Sequence, residues 1–150
     1  MGLGNFIVQL SKTSVMEERF YLCEVCNNLA ILAIASGVTL ECCGETMTQL
    51  QANEKEEGHE KHLPICCDIS CHKMRIKVSS QPHPCTAEHH IVFICLETDK
   101  EMVIHYLEHE EVPEATIYFD GIPKAVYAYC NIHGLWKTEV KPDGGACSTR

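Results

Sequence analysis

A succession of short apolar segments between residues 73 and 130 constrains the fold more than any other feature of the chain. The segment "KMRIKVS" alternates strictly, with Met74, Ile76 and Val78 on one face and charged residues on the other, which is the period of a half-buried strand. The segments "HIVFICLE", "EMVIHYLE", "ATIYFD" and "KAVYAYC" follow at short intervals, separated by Asp-Lys, Pro and Asp-Gly turn signals. This spacing predicts an all-β chain with a β-sandwich. The segment "HIVFICLE", apolar on both faces, has the pattern of a central strand.

The N-terminal half is less regular. Residues 5–19 are compatible with a short helix, and "NNLAILAIASGVTLE" predicts a small hairpin split at Ser36-Gly37. The charge-rich run "TQLQANEKEEGHEKH" has the composition of a linker. No apolar run reaches the roughly 20 residues of a membrane helix, and the N-terminus lacks the features of a signal peptide. We therefore expect no membrane partner and a cytoplasmic location.

Charge and cysteine content narrow the function. A net charge of −9 without a basic stripe argues against a nucleic-acid partner. The same charge repels anions, so anion chemistry in this chain requires a locally positive point. Eleven cysteines and nine histidines favour metal binding in a reducing compartment, where disulfides are rare.

The densest cysteine pattern is C-x-x-C followed by C-C, formed by Cys23, Cys26, Cys42 and Cys43. Four thiolates suit zinc or a single iron, although buried free thiols are the alternative. Adjacent residues of an extended chain point to opposite sides. Binding one ion with both Cys42 and Cys43 therefore requires a strained backbone.

The stretch "FYLCEVCNNLAILAIASGVTLECCGETM" is similar to the desulforedoxin-like N-terminal domain of the desulfoferrodoxin family, the two-iron superoxide reductases. The resemblance covers about residues 19–50 and implies an Fe(Cys)4 centre at the four cysteines. Zinc is an alternative occupant in recombinant protein, because it binds thiolates more tightly than ferrous iron.

Histidines cluster in three predicted loops, in "GHEKHLP" (58–64), "SQPHPCTAEHH" (80–90) and "AYCNIHGLWK" (128–137). Each histidine alone is most simply a solvated loop residue, and Cys130 and His133 either share a metal ion or are unrelated. Loops at one end of a sandwich can nevertheless converge on one ion. Three such loops, one of them with a cysteine, favour a common site.

These segments resemble the superoxide reductase domain of the same family from about Gly58 to Lys137, through its signatures E-K-H, P-H-P with a histidine six residues on, and C-N-x-H-G-x-W. The resemblance implies an immunoglobulin-like sandwich and a square-pyramidal catalytic iron, Fe(His)4(Cys), with one position open. Its ligands by this resemblance are His62, His83, His89, His133 and Cys130. The neighbouring histidines are assigned no ligand role: His59, His90, His105 and His109.

The resemblance also implies catalytic roles for Glu60 and Lys61, which match the family's E-K pair. Lys61 is expected to attract superoxide and help to deliver a proton, and Glu60 to occupy the open position of the oxidised iron. The alternative for both is a solvated charge in the linker. The implied reaction is one-electron reduction of superoxide to hydrogen peroxide without dioxygen formation.

The partners implied are superoxide, a rubredoxin-like or other one-electron donor, and a second copy of the chain in a homodimer. Other functions stay open: a two-site iron electron carrier, a zinc-stabilised interaction module, or reduction of peroxide or nitric oxide. The expected organisation is an N-terminal extension (1–18, in which Met16 is an alternative start), the four-cysteine domain (19–50), a linker (51–57), the sandwich (58–140) and a tail (141–150). Six cysteines lie outside both sites and are assigned no role: Cys66, Cys67, Cys71, Cys85, Cys95 and Cys147. The first three form a cluster that fits core packing, a redox-sensitive pair or adventitious metal binding.

Overall fold

The computed structural model describes residues 6–9, 19–55 and 62–141. The strands in this part of the chain are β1 Phe6–Gln9, β2 Phe20–Leu22, β3 Leu29–Ile31, β4 Glu41–Cys42, β5 Glu45–Thr46, β6 Thr48–Gln49, β7 Pro64–Ser70, β8 Lys73–Val78, β9 Ile91–Thr98, β10 Glu101–Tyr106, β11 Glu114–Tyr118, β12 Pro123–Cys130 and β13 Gly134–Glu139. Among the described residues there is no α-helix, and hence no helix with the length and apolarity needed to cross a membrane.

Two antiparallel sheets form the sandwich. One has the strand order β1-β10-β9-β12-β13 and the other β11-β8-β7. The alternation predicted for β8 is confirmed, because Met74, Ile76 and Val78 are buried between the sheets. The predicted all-β fold, a small metal-binding unit followed by an immunoglobulin-like sandwich, is confirmed.

Strand β9 is apolar on both faces because both of its faces are covered. Ile94 and Leu96 pack in the core between the two sheets. Phe93 and Cys95 point the other way and pack with Phe20 of the small N-terminal unit in a second core. Burial on both faces removes the polar alternation that one solvated face would impose.

The small unit consists of the sheet β3-β2-β6 and the hairpin β4-β5. Phe20 anchors it to the sandwich: its ring stacks on Phe93 with 6.1 Å between centroids and tilts against Tyr127 at 5.5 Å. The adjacent guanidinium of Arg19 is buried and donates to the Ala33 carbonyl over 2.6 Å. These contacts fix the small unit against the outer face of the large sheet.

Two predicted elements differ from the structure. The hairpin expected within 27–41 is wrong, because β3 pairs with β2 and residues 38–40 form no strand. The Cys23–Cys26 turn reverses the chain just before β3, and this makes β2 its nearest partner. The helix suggested for residues 5–19 is wrong where the structure describes it, since β1 pairs with the edge of β10; residues 10–18 lie outside the described part.

The run predicted as a linker is partly ordered by pairing. Strand β6 at its start pairs with β2. Asn53 forms a parallel bridge with Trp136 on β13, and its backbone N–H donates to the Leu135 carbonyl over 2.8 Å. The described part of this segment is therefore held to the sandwich beside β13.

Candidate metal centres

The first cysteine pair is presented by a tight turn after β2. The Asn27 N–H donates to the Cys23 carbonyl over 2.8 Å, and the Cys23 N–H donates to the Asn28 carbonyl over 2.9 Å. Asn27 has φ of 60°, a left-handed conformation that asparagine tolerates better than most residues. The turn brings Cys23 and Cys26 to the same side of the chain.

The second cysteine pair lies at the two-residue turn between β4 and β5. Cys43 and Gly44 have φ of 54° and 80°, the left-handed pair required by a type I′ turn. Since Cys43 leaves the extended conformation, its sulfur lies 3.9 Å from that of Cys42 rather than across the strand. The predicted backbone strain at this pair is confirmed.

The four sulfur atoms have the spacing of a tetrahedral site. They all lie within 4.8 Å of one another, with 3.6 Å between Cys26 and Cys42. Metal–sulfur bonds of about 2.3 Å in a tetrahedron place sulfurs about 3.8 Å apart. The cluster therefore fits a single zinc or iron ion.

The thiols of this cluster do not ionise equally. The Cys26 backbone N–H lowers the pKa of Cys23 to about 7. The neighbouring sulfurs of Cys26 and Cys42 raise the pKa of Cys43 to about 12. Four thiolates at this spacing repel one another, so the fully deprotonated state requires a bound cation.

The second candidate centre collects side chains from three loops at one end of the sandwich. His62 precedes β7, His83 and His89 lie between β8 and β9, and His133 lies in the turn between β12 and β13. Cys130 is the last residue of β12 and is fully buried. The structure thus brings together the five side chains that the resemblance assigned to one ion.

The four imidazoles form a square. Going around it, ring centroids are 4.8 Å apart for His62–His83, 4.7 Å for His83–His89, 4.9 Å for His89–His133 and 4.6 Å for His133–His62. The diagonal from His62 to His89 is 6.4 Å. Each of the four rings thus contacts two others in a closed cycle, which differs from ordinary pairwise histidine packing.

These distances match imidazoles that share one ion. A metal–nitrogen bond of about 2.1 Å places each ring centroid about 3.3 Å from the ion, so neighbouring rings of a square lie about 4.6 Å apart and opposite rings about 6.5 Å apart. The ligand atoms of His62, His89, Cys130 and His133 also lie within 4.8 Å of one another. His83 falls outside that group of four and joins the site through its ring contacts with His62 and His89.

The β12–β13 hairpin sets the geometry of Cys130 and His133. Cys130 pairs with Gly134 across a three-residue loop, and Gly134 has φ of 79°, a left-handed conformation that glycine adopts readily. The loop returns His133 over the end of β12, and its Nδ1 lies 3.6 Å from the Cys130 sulfur.

Hydrogen bonds orient two of the rings. His83 Nδ1 lies 2.7 Å from the Pro84 carbonyl oxygen, which can only accept, so Nδ1 carries the proton and Nε2 keeps its lone pair. His89 Nε2 is buried and has no hydrogen-bond partner among the described residues. Both nitrogens suit coordination of a cation.

Trp136 contacts the second centre, although no role was predicted for it from the sequence. Its indole stacks on His62 with 4.7 Å between centroids and 15° between planes. Its position in C-N-x-H-G-x-W could have indicated this contact, because β13 directly follows the turn with His133 and runs back beside β12.

The centre is buried on one side and open on the other. His62 and His83 are buried, whereas His133 is exposed. Glu60 and Lys61, the predicted catalytic pair, lie outside the described residues, as does His59. His90 lies against His109 with 6.3 Å between centroids. This agrees with the expectation that His90 takes no part in the site of its neighbour His89.

Most cysteines outside both centres are separate thiols. Cys95 is fully buried, and burial strongly raises its pKa. Burial likewise raises the pKa of Cys66 to about 11, while its neighbour Cys67 is exposed. Cys71 is disulfide-bonded, and Cys147 lies outside the described residues. No shared metal cluster of these residues occurs in the described part of the chain.

Residues 54–139 match the family model described as Desulfoferrodoxin. The desulfoferrodoxin of Desulfarculus baarsii is 32% identical over 83% of this chain and 99% of its own length. A desulfoferrodoxin homolog of Archaeoglobus fulgidus is 34% identical over 84% of this chain and 98% of its own length.

A superoxide reductase of Pyrococcus horikoshii is 35% identical over 55% of this chain and 87% of its own length. Among solved structures, the superoxide reductase from Treponema pallidum superposes with a TM-score of 0.66 at 27% identity, over 81% of this chain and 96% of that one. With the fold and both residue clusters in agreement, the chain belongs to the desulfoferrodoxin family.

Proposed function

We propose that the protein reduces superoxide to hydrogen peroxide by one electron at the centre formed by His62, His83, His89, His133 and Cys130. The observation that carries this proposal is the square of four imidazoles next to a buried cysteine, with its His133 edge exposed. Each superoxide takes up one electron and two protons to become hydrogen peroxide, and no dioxygen forms. Similarity to the superoxide reductases of Pyrococcus horikoshii and Treponema pallidum supports this choice.

We infer that these five side chains hold one iron ion. A ferrous ion there supplies the single electron that superoxide takes up. Four neutral imidazoles and one thiolate leave a ferrous site with a net charge of about +1, the local positive point that a chain of net charge −9 otherwise lacks. Five protein ligands would also leave one coordination position for a small substrate, as in catalytic rather than structural sites.

The residues just before His62 are proposed to handle the anion and its proton. Lys61 attracts superoxide and passes on a proton, and Glu60 covers the open position in the oxidised enzyme. Both assignments come from the E-K-H signature, in which the pair directly precedes His62 in the chain.

The four-cysteine cluster is proposed to hold a second iron, with zinc as a substitute in overexpressed protein. It has no open coordination position and is proposed to stabilise the small unit. A rubredoxin-like or other one-electron donor re-reduces the catalytic iron, and the working molecule is a homodimer in the cytoplasm.

The test is the yield of hydrogen peroxide per superoxide consumed, with an excess of reduced one-electron donor. A reductase gives one peroxide for each superoxide and oxidises one donor. A dismutase gives one peroxide for every two and releases dioxygen. Consumption of electrons without consumption of superoxide would overturn the proposal in favour of an electron carrier.

Two cysteine variants make a matched pair for this assay. Cys130 and Cys95 are both fully buried in the large sheet, but only Cys130 contacts the imidazole square. Cys130→Ala is expected to lose the iron of this centre and the reaction with superoxide, whereas Cys95→Ala keeps both. Equal activity of the two variants would contradict the assignment of this centre.

A further inference from the structure

The loop with His89 and the turn with Cys130 and His133 are joined by one side chain, that of Asn131. Its Nδ2 donates to the Glu88 carbonyl over 2.9 Å. Its Oδ1 accepts from the His90 backbone N–H, also over 2.9 Å. The two partners lie on either side of His89 in the chain, so the amide holds the backbone of His89 from both sides.

A backbone contact strengthens the same junction. The Asn131 N–H donates to the His90 carbonyl over 3.2 Å, so three hydrogen bonds join the two segments at one residue. Asn131 is itself between Cys130 and His133. A displacement of the His89 loop is therefore resisted directly by a residue that lies between Cys130 and His133 in the chain.

The His89 loop is also closed upon itself, which makes it a unit that one residue can position. The Thr86 N–H donates to the His89 carbonyl over 3.0 Å, and the His89 N–H donates back to the Thr86 carbonyl over 3.2 Å and to its hydroxyl over 3.1 Å. Because these bonds fix the turn internally, contacts with the β12 end can position it as a whole.

We propose that Asn131 is a positioning residue that holds His89 at the correct distance from Cys130 and His133 for all three to bind one ion. This inference rests on the proposed iron centre. An uncharged amide offers a donor and an acceptor on the same planar group, which is what the Glu88 carbonyl and the His90 N–H require. A carboxylate cannot donate, and alanine offers neither.

The expected consequence lies in metal binding rather than in folding. The Asn131 side chain is exposed, so its removal leaves no cavity in either core. Residues that orient metal ligands typically change metal affinity by about 10- to 100-fold when they are replaced. Asn131→Ala should therefore weaken iron binding at the second centre by about tenfold or more, with little change in the unfolding temperature.

Asn53→Ala is the matched control. Asn53 is also exposed, and its Nδ2 also donates to a backbone carbonyl, that of Leu135, over 3.2 Å. This contact lies beside β13 and does not involve the His89 loop. The control removes the same atoms and the same kind of hydrogen bond without touching the junction between the ligand segments.

The experiment measures iron retained by the full-length protein against graded concentrations of a ferrous chelator, fitted for two sites. The electron paramagnetic resonance spectrum of the oxidised iron gives the ligand symmetry, and exchange of the His90 amide hydrogen in zinc-loaded protein gives the state of the loop. For Asn131→Ala we expect weaker binding at one site only, a changed ferric spectrum and faster exchange at His90. Asn53→Ala should match the wild type in all three measurements.

Wild-type iron affinity and an unchanged ferric spectrum in a folded Asn131→Ala variant would overturn the inference. Equal changes in both variants would do so as well, because they would indicate general destabilisation. None of these measurements uses superoxide. A protein that binds iron as expected but fails to reduce superoxide would therefore contradict the proposed function and leave the role of Asn131 intact.

Discussion

At the scale of single residues, the second centre depends on contacts behind its ligands. The His62 ring stacks on the Trp136 indole and also contacts the rings of His83 and His133. His83 is oriented through its Nδ1 contact with the Pro84 carbonyl. Such supporting contacts set the direction of each nitrogen before an ion arrives, which lowers the reorganisation that binding requires.

Trp136 provides a direct optical probe of this centre, because it is the only tryptophan of the chain and stacks on His62. We expect ferrous iron to quench its fluorescence strongly as the second centre fills. The titration is repeated on Cys42→Ser, in which the first cluster is broken, and the quenching should persist. Fluorescence that follows only the first cluster would contradict the assignment.

Lys61 gives a prediction about association with superoxide. Lys61→Ala should keep the iron spectrum but slow the bimolecular step by about tenfold, because a nearby positive charge concentrates an anion at the open position. The rate should also depend less on ionic strength, since salt screens that attraction. Pulse radiolysis at several salt concentrations measures both effects.

The matched variant for Lys61 is Glu60→Ala. It should change the spectrum of the oxidised resting state more than the encounter rate, because its proposed role is to cover the open position. If Lys61→Ala leaves the rate and its salt dependence untouched, Lys61 belongs to a solvated linker instead.

At the scale of elements, both centres use tight hairpin turns with left-handed residues. Cys43 and Gly44 form the turn of β4–β5, and Gly134 closes that of β12–β13. In each case the turn brings a ligand back beside the end of the preceding strand. The turn conformation is therefore part of the geometry of both candidate centres as well as of the fold.

Gly134→Ala should show this coupling. An L-residue in the left-handed region costs about 1–2 kcal/mol, and no atom lies within 4 Å of the added Cβ, so the cost comes from the backbone alone. We expect that loss in the free energy of unfolding, measured by urea denaturation, together with weaker iron binding at the second centre.

Gly37→Ala is the control for Gly134→Ala. Gly37 has φ of 80° and equally open surroundings, but it lies in the small unit. The two variants should lose similar stability, and only Gly134→Ala should disturb the second centre. If both variants changed iron binding equally, the β12–β13 turn would have no specific role in the geometry of the second centre.

At the scale of the whole molecule, the small unit packs on the face of the large sheet opposite the other layer of the sandwich. Phe20 stacks on Phe93, which in turn stacks on Tyr129 with 5.6 Å between centroids. The first cluster thus belongs to a unit that is fixed to the sandwich through aromatic packing, while the second centre is built by sandwich loops alone.

This arrangement predicts that the two centres are chemically independent. Cys42→Ser should abolish metal binding and colour at the first cluster and lower the stability of the small unit, since the remaining sulfurs no longer complete a tetrahedron. The rate of the reaction with superoxide should stay close to that of the wild type. Loss of the fast reaction in a folded protein with iron at the second centre would reveal coupling between them.

The metal content of the native protein is the remaining prediction at this scale. Protein purified from its own cells should contain iron at both centres, whereas strongly overexpressed protein should contain zinc at the first cluster, because thiolates bind zinc more tightly than ferrous iron. Metal analysis with a visible spectrum of the oxidised protein tests this. Zinc at both centres of native protein would contradict the proposed function.

Sequence patterns predicted the strands well where the apolar residues of a strand show which of its faces are buried. The alternation of Met74, Ile76 and Val78 placed β8 correctly, and the doubly apolar β9 is indeed central. The pattern failed for residues 27–41, where short apolar runs had no unique partner. Pairing of β3 with β2 was decided by the turn after Cys23, and no periodicity reports that.

By itself, the sequence determined the number and type of candidate metal-binding side chains, because cysteines and histidines recur in short clusters whose spacing resembles that of one family. Spacing alone did not distinguish His89 from His90, because the two are adjacent and differ only in the direction of their side chains; only the family resemblance named His89. The tertiary structure decided this: the Asn131 contacts and the β12–β13 turn place His89 in the imidazole square, while His90 lies against His109. The physical reason is that a metal site requires distances set to within a fraction of an ångström across three loops, and only packing and hydrogen bonds between distant segments fix such distances.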